Sequence, residues 1–186
     1  MGRFKEDMAT YKKNDPAARS SLEIVLTYPG YHATVLHRAA HWFHTKAKMR
    51  LLARIIAGFS RFLTGIEIHP GATIGRRFFI DHGMGIVIGE TSIIGDDVKM
   101  FHAVTLGGSG KDTGKRHPTI ENGVLLSAHS QVIGPVTVGE YAKIGAAAVV
   151  LDDIPPHTTA VGLPARVVRV HTPEEIERDT TIGGKL

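Results

Sequence analysis

Branched aliphatic residues recur at intervals of six between Ile68 and Val150, with one interruption between Val104 and Ile120. The positions of this series are Ile68, Ile74, Ile80, Ile86, Ser92, Val98, Val104, Ile120, Leu126, Val132, Val138, Ile144 and Val150. Ser92 is the single exception to Ile, Leu or Val. A period of six is typical of a parallel β-helix, in which three short strands with their corners make one triangular coil. Because each coil buries its apolar side chains only against its neighbours, we predict a hexapeptide-repeat β-helix over residues 65–170.

Apolar residues near the N-terminus follow helical spacing instead. Asp15 followed by proline is a typical helix start, with the aspartate as N-cap and the proline in the first helical position. The helix predicted from this start places Leu22, Val25 and Leu26 on one face. The segment Tyr28–Tyr31 contains Pro-Gly and predicts the end of that helix.

Two longer helices are predicted before the repeat begins, over residues 32–44 and 47–63. The second ends at Gly65, a residue type that commonly follows a helix C-terminus. Its apolar row consists of Leu51, Ile55, Phe59 and Phe62. We therefore predict a small α-helical region over residues 1–64.

The interruption of the repeat predicts a loop over residues 105–119. Its sequence, TLGGSGKDTGKRHPT, is rich in glycine and charge and cannot continue the coil. Loops held by a rigid scaffold commonly carry function. After the repeat, residues 171–186 are expected to form a short tail that begins with a helical turn capped by Thr172.

Composition narrows the function classes. The chain has 186 residues, no cysteine and a formal net charge of +4. Disulfides, a thiolate nucleophile and a cysteine zinc site are therefore ruled out. No run of five or six basic residues suggests nucleic-acid binding, and no apolar stretch approaches the roughly 18 residues that would span a membrane. The polar N-terminal residues do not resemble a signal peptide, so we expect a cytoplasmic protein.

Three stretches of the chain resemble the serine O-acetyltransferase family, within the hexapeptide-repeat acyltransferases. They read GIEIHPGATIGRRFFIDHGMGIVIGET, VTLGGSGKDTGKRHPTI and VGLPAR. The segments NDPAARS and GYHATVLHRAAHWF also fit that family, and the likeness spans roughly residues 12–170. The resemblance implies a left-handed β-helix that transfers an acetyl group from acetyl-CoA to L-serine, the first step of cysteine biosynthesis. It also implies feedback inhibition by cysteine and no metal.

The resemblance implies His82 as the general base and Glu67 as the carboxylate that orients it. A histidine suits this task because its unperturbed pKa lies near 6.5, close to the pH at which it must accept a proton. Many family members have Asp in place of Glu67, so the same contact would need a different side-chain geometry. Without the surrounding motif, His82 would be interpreted as a surface histidine at a corner, and Glu67 as a solvated carboxylate.

Further residues match the family's substrate and coenzyme sites. Asp15 and Asp81 match residues that bind the amino group of serine, and Arg116 and His117 match residues at its carboxylate. A zwitterion needs both an anionic and a cationic partner, and Asp15 is also explained by helix capping. The residues implied in acetyl-CoA binding are Gly107, Gly108, Ala128, Ala146 and Arg166. The two glycines could supply an oxyanion donor or simply form a sharp exit turn, and the alanines could simply fit a corner.

The resemblance also implies an assembly. We expect a homotrimer with active sites between subunits, rather than a hexamer, because most of the family's N-terminal helical extension is not found here. The family's usual partner is O-acetylserine sulfhydrylase, bound through a C-terminal isoleucine. Leu186 could take that place.

Other functions stay open from sequence alone. A related acetyltransferase could act on a sugar or a xenobiotic, and a β-helix could hold an interfacial metal as γ-type carbonic anhydrases do. The histidines in or near the repeat are His69, His82, His102, His117 and His129. His37, His41 and His44 share a helical face, for which packing is the simpler interpretation. GGSGKDTGK lacks the Ser or Thr that a phosphate-binding Walker loop requires after its lysine.

Overall fold

The computed structural model describes residues 2–110 and 113–181. Four helices precede a stack of short strands and one helix follows it, with bounds α1 Arg3–Asn14, α2 Ser21–Thr27, α3 Pro29–Thr45, α4 Arg50–Thr64 and α5 Pro173–Thr181. No helix in these ranges is both long and apolar enough to cross a membrane. The predicted order of helices followed by strands is confirmed.

Asp15 does not begin a helix, which corrects the N-cap prediction. It follows α1 as its C-cap, and its backbone N–H donates to the Tyr11 carbonyl at 2.9 Å. Its carboxylate Oδ1 accepts the Ala17 N–H at 2.8 Å, closing a local turn. The cap of α2 is Ser20, whose hydroxyl oxygen accepts the Glu23 N–H at 3.1 Å. An aspartate uses the same side-chain oxygen to accept a backbone N–H in a turn and at a helix N-cap. The sequence alone therefore did not distinguish these two roles for Asp15.

The buried side of α2 also differs from the prediction. Leu22 and Leu26 are 68% and 66% exposed, whereas Ile24 is fully buried beside Tyr11 of α1. The segment Tyr28–Tyr31 ends α2 as predicted, but Pro29 also begins α3 directly. Packing against α1 therefore buries the face of α2 that carries Ile24, and not the face that the spacing of the leucines had indicated.

Helices α3 and α4 match their predicted positions and form an adjacent pair. Helix α4 ends at Gly65, which has φ +70° in the left-handed region, as expected of a C-terminal glycine. The predicted apolar row lies on one side of α4, and all of its members are more than half exposed in this single chain: Leu51, Ile55, Phe59 and Phe62.

The strands form three sheets, and from β1 to β13 each sheet takes every third strand of the series, while β14 and β15 both join the third sheet. Sheet 1 contains β1 Glu67–Ile68, β4 Val87–Ile88, β7 Thr105–Gly107, β10 Gln131–Ile133 and β13 Val149–Val150. Sheet 2 contains β2 Thr73–Ile74, β5 Ile93–Ile94, β8 Thr119–Ile120 and β11 Thr137–Val138. Sheet 3 contains β3 Phe79–Ile80, β6 Lys99–Met100, β9 Leu125–Leu126, β12 Lys143–Ile144, β14 Thr158–Val161 and β15 Arg166–Val170. All pairs are parallel except β14 with β15, so the chain visits the three sheets in turn and climbs by one strand in each circuit.

The register between coils shows where residues have been added. Ile88 pairs with Leu106 and Val132 pairs with Val150, a normal coil of eighteen residues in each case. Ile68 pairs with Ile88, twenty residues on, because the corner between β3 and β4 holds two extra residues. The following coil, in which Leu106 pairs with Val132, has twenty-six residues because it contains the loop.

This register corrects the simple six-residue series. After the enlarged corner, the inward strand residues are Ile88, Ile94, Met100 and Leu106, not the predicted members two residues earlier. The earlier members are also buried, because the residue two positions before each inward strand residue faces the interior as well. Ser92 occupies one of these positions and is 1% exposed. The loop accordingly runs from residue 108 to 118, because β7 extends to Gly107.

The C-terminal tail forms more helix than predicted. Thr172 caps α5 as expected, since its hydroxyl oxygen accepts the Glu175 N–H at 3.3 Å. The helix then continues to Thr181 instead of ending after one turn. Leu186, the residue predicted to contact a partner enzyme, lies outside the described residues.

Candidate active site

Two edges of the coil carry the predicted site residues. We call the corner segments between sheet 3 and sheet 1 the His82 edge; they comprise residues 81–86, 101–104, 127–130 and 145–148. We call the described segments between sheet 1 and sheet 2 the loop edge; they comprise residues 69–72, 89–92, 108–110, 113–118 and 134–136. Sheet 1 lies between the two edges.

His82 occupies the enlarged corner that follows β3. Its φ of +60° places it in the left-handed region of backbone conformation. Its side chain is 76% exposed, and its Nε2 lies 3.7 Å from Asp81 Oδ1, beyond hydrogen-bonding distance. The two extra residues therefore present an imidazole with accessible ring nitrogens to any ligand that lies along this edge.

A row of three histidines continues along the same edge. The ring centroid of His102 lies 6.1 Å from that of His82 and 5.1 Å from that of His129, edge to face in both cases. The Nδ1 atom of His102 is buried and has no hydrogen-bond partner among the described residues. Beyond His82, sequence reasoning noted His102 and His129 only as metal candidates. Their spacing was the missed signal, since His102 lies one enlarged coil of twenty residues after His82.

Glu67 lies beside the His82 segment in the preceding coil. The Glu67 N–H donates to the Ile86 carbonyl, and the Gly85 N–H donates to the Gly65 carbonyl, both at 2.9 Å. The Glu67 carboxylate, however, pairs with Arg61 of α4 at 2.8 Å. Within residues 2–110 and 113–181, no hydrogen bond or ion pair joins Glu67 to His82.

The phenol of Tyr28 contacts Asp15 and lies within the electrostatic influence of Asp81. The Tyr28 hydroxyl donates to Asp15 Oδ2 at 2.6 Å. Burial, the hydrogen bond to Asp15 and the nearby negative charges, including that of Asp81, raise the pKa of Tyr28 to about 12. Tyr28 was not predicted from the sequence as a site residue, and its hydrogen bond holds the Asp15 carboxylate in one orientation.

The loop edge carries Arg116 and His117 at the point where the loop rejoins the coil. Arg116 Nη2 donates to Glu90 Oε2 at 2.5 Å, and this contact holds the pKa of Glu90 below its usual value. His117 is 9% exposed, and its burial together with the charge of Arg116 lowers its pKa.

Gly107, Gly108 and Gly89 shape the same edge. A Cβ atom on Gly89 would lie 2.0 Å from His117 Cδ2, so the imidazole occupies space that only glycine leaves free. A Cβ atom on Gly108 would lie 3.3 Å from both the Arg116 carbonyl and His117 Nε2. The start of the loop, just after Gly107 in β7, therefore lies directly against its end.

The predicted coenzyme residues divide between the edges. Ala128 and Ala146 lie on the His82 edge, where the Ala147 N–H donates to the Ala128 carbonyl at 2.9 Å. Arg166 begins β15 with an exposed side chain. One chain thus places His82, Asp81 and the alanines on one edge, and Arg116, His117 and the loop glycines on the other.

The histidines of α3 pack rather than gather around a ligand. His37 is 5% exposed, and burial lowers its pKa to about 3. His41 Nδ1 lies 2.8 Å from the Pro70 carbonyl, which joins α3 to the coil. Across the part of the chain that the structure describes, no three histidine or acidic side chains are grouped to hold a metal ion.

Comparisons with known proteins identify close relatives. A serine acetyltransferase of Bacillus pumilus is 60% identical over 176 residues, which cover 95% of this chain and 80% of that protein. The structure of soybean serine acetyltransferase complexed with serine matches with a TM-score of 0.86 and 43% identity, covering 89% of this chain and 68% of that one. The serine acetyltransferase of Brucella abortus in complex with coenzyme A matches with a TM-score of 0.88 and 38% identity, covering 91% and 68%. No protein-family model matches the chain.

Proposed function

This chain belongs to the serine acetyltransferase family of acetyl-CoA-dependent acyltransferases, and we propose that it acetylates the side-chain hydroxyl of L-serine. The products would be O-acetyl-L-serine and CoA, in the first step of cysteine biosynthesis. The observation that carries this proposal is the exposed imidazole of His82, in a corner enlarged by two residues beside Asp81.

In the proposed reaction, a ring nitrogen of His82 accepts the proton of the serine hydroxyl. The hydroxyl oxygen forms a bond to the thioester carbonyl carbon, the carbon–sulfur bond then breaks, and the CoA thiolate takes the proton back from His82. General base catalysis of this kind typically contributes about 10²–10⁴-fold to the rate. Because the thioester is already activated, the reaction needs no covalent acetyl-enzyme.

Glu67 is proposed to orient His82 and to stabilise its protonated form. Its backbone hydrogen bond to Ile86 keeps it beside the His82 corner. The ion pair with Arg61 leaves room for a second contact, since a carboxylate has two oxygens and about four lone-pair positions.

The charges on the two edges suit the two ends of serine. Asp15 and Asp81 would bind the ammonium group, and Arg116 with His117 would bind the carboxylate. The acetyl-CoA thioester would lie near Gly107 and Gly108, and the coenzyme arm along Ala128, Ala146 and Arg166. The small side chains of the two alanines support this groove because they leave space along the His82 edge.

Completing such a site requires a second copy of the chain, which supports a homotrimer with active sites between subunits. One chain places the two halves of the site on opposite sides of sheet 1. Apart from Glu67, the outward strand residues of this sheet are uncharged and suit contact with other copies: Val87, Thr105, Gln131 and Val149. Met84 in the His82 corner is also 66% exposed and lies against Gly65, the residue that follows α4.

The winding of the coil is proposed to be left-handed, as in a hexapeptide-repeat β-helix. A positive φ recurs at equivalent corner positions of successive coils, namely Gly85, Ala103, His129 and Ala147. Residues 65–170 would form this domain after a helical region over residues 1–64. Cysteine would act as a feedback inhibitor because it is nearly isosteric with serine. Binding of O-acetylserine sulfhydrylase through residues 171–186, and a cytoplasmic location, complete the proposal.

The test is thiol release from acetyl-CoA with and without L-serine, followed with a thiol reagent. The chain contains no cysteine, so the protein itself adds no signal. Release should depend on serine, and His82→Ala should lower kcat by about 10²–10⁴-fold. His129→Ala, on the same edge, is the matched control and should retain most activity. Serine-independent release, or a His82→Ala variant with near-normal rates, would contradict the proposal.

A further inference from the structure

Thr91 lies in the corner where the loop rejoins the coil, and all the hydrogen-bonding capacity of its hydroxyl is used there. Its Oγ1 accepts the backbone N–H of Arg116 at 3.0 Å and that of His117 at 3.1 Å. A hydroxyl has two acceptor lone pairs and one donor hydrogen. With both lone pairs engaged, its hydrogen remains for the third neighbour, His117 Nδ1, at 2.9 Å.

A second donor from the same residue reaches the same nitrogen. The Thr91 backbone N–H lies 3.2 Å from His117 Nδ1. An amide N–H can only donate, so Nδ1 must be an acceptor and carries no proton. The proton of the neutral imidazole then resides on Nε2. Two independent groups of one residue therefore select a single tautomer.

The surroundings of His117 favour the neutral ring. Its burial and the neighbouring Arg116 charge lower its pKa, against a smaller opposing effect of Glu90. The Cδ2–Nε2 side of the ring packs over Gly89 and close to Gly108, at the start of the loop. The ring is thereby held with a donor N–H at the loop edge.

Lys115 ties the same segment to the coil. Its ammonium donates to the carbonyl oxygens of Thr91 at 2.8 Å, His117 at 2.6 Å and Pro118 at 3.0 Å. These three bonds use all of its donors. Lys115 thus joins the corner that carries Thr91 to the returning loop, while the hydroxyl of Thr91 aligns the residues between.

We propose that Thr91 is a positioning residue that presents His117 to the substrate as a neutral Nε2–H donor. This inference rests on the proposed function in one respect, namely that His117 contacts the carboxylate of serine. Thr91 touches no reacting atom. Its action passes through the tautomer and orientation of His117, and it should therefore affect serine far more than acetyl-CoA.

Thr91→Val removes the hydroxyl while keeping the branched shape, and Thr91→Ser keeps the hydroxyl. For Thr91→Val we expect the KM for serine to rise about tenfold, the cost of roughly one well-formed hydrogen bond. The KM for acetyl-CoA should stay within about twofold and kcat within about threefold. Thr91→Ser should restore the KM for serine to near the original value.

Long-range ¹H–¹⁵N spectra of the imidazole rings give a readout that does not depend on turnover. His117→Gln assigns the His117 signals among the 11 histidines. The unaltered protein should show His117 as the Nε2–H tautomer, and Thr91→Val should show a mixture. An Nδ1–H ring in the unaltered protein would overturn the inference even if the variant failed to fold.

Two kinetic results would also overturn it: an unchanged KM for serine in Thr91→Val, or equal losses in Thr91→Val and Thr91→Ser. If the unaltered protein releases no thiol with serine, the proposed function fails instead. The spectra would then still decide whether Thr91 fixes the tautomer.

Discussion

Replacing Gly89 by alanine should displace His117 without altering any ionisable group. The added Cβ would lie 2.0 Å from Cδ2 and 2.1 Å from Nε2 of the ring. Carbon atoms in ordinary contact are about 3.5–4.0 Å apart, so the ring must move by roughly 1.5 Å. Gly89 is not in the left-handed backbone region, and the effect is therefore steric rather than conformational.

A shift of this size breaks both contacts of His117 Nδ1 with Thr91, which are 2.9 and 3.2 Å long. At about 0.5–1.5 kcal/mol each, their loss amounts to about 1–3 kcal/mol. If that free energy is lost from the transition state, kcat/KM for serine falls roughly 5- to 150-fold. Initial rates of thiol release at varied serine concentrations measure this quantity.

Gly114→Ala, in the loop on the same edge, is the matched control, because no atom lies within 4 Å of the position of its Cβ. It should keep kcat/KM within about twofold. Thermal melting of both variants separates a local displacement from a loss of folding. A Gly89→Ala variant with normal kcat/KM, or an equal loss in Gly114→Ala, would refute the reasoning.

Two further predictions concern stability. Ile94→Ala removes a side chain that is 1% exposed and should lower the free energy of unfolding by about 2–5 kcal/mol in urea titrations, whereas Ile93→Ala, at a 44% exposed neighbouring position, should cost less than about 1 kcal/mol. Equal losses of unfolding free energy in the two variants would contradict the assignment of Ile94, and not Ile93, to the interior of the coil. The pKa of Tyr28 is raised in the folded state, so its contribution to stability is complete below pH 10 and is lost as the pH rises through about 12. Tyr28→Phe should therefore show a smaller fall in melting temperature over that interval, and an unchanged fall would contradict the assignment.

The repeat was readable from the sequence because an inward aliphatic residue in every short strand produces a strong period. The enlarged corner was hidden for a physical reason. Each six-residue repeat has two inward-facing positions, which lie two residues apart. The two residues added at the enlarged corner therefore moved the six-residue series from one inward-facing position to the other. Ile86 continued the count of six, and only Ser92 departed from it.

Local signals were weaker where tertiary contacts decide the outcome. The exposed Leu22 and Leu26 and the buried Ile24 follow from the packing of α2 on α1, which the spacing of leucines cannot show. His82 could be expected at an exposed corner from the sequence, but the contacts of Thr91 and Lys115 arise only when the loop folds back on the coil. Contacts between a loop and the corner against which it folds produce no periodic pattern in the sequence.

The register of the coils has a consequence for how such a chain can vary. Each circuit rises by one strand spacing, about 4.8 Å, whatever its number of residues, because the parallel ladder fixes the height. Added residues at a corner therefore lengthen the sideways reach of a side chain and leave its height along the stack unchanged. The height of a side chain along the stack and its distance out from the coil can therefore change independently of each other. Segments of different length could be grafted at the loop edge without shifting β10 against β7.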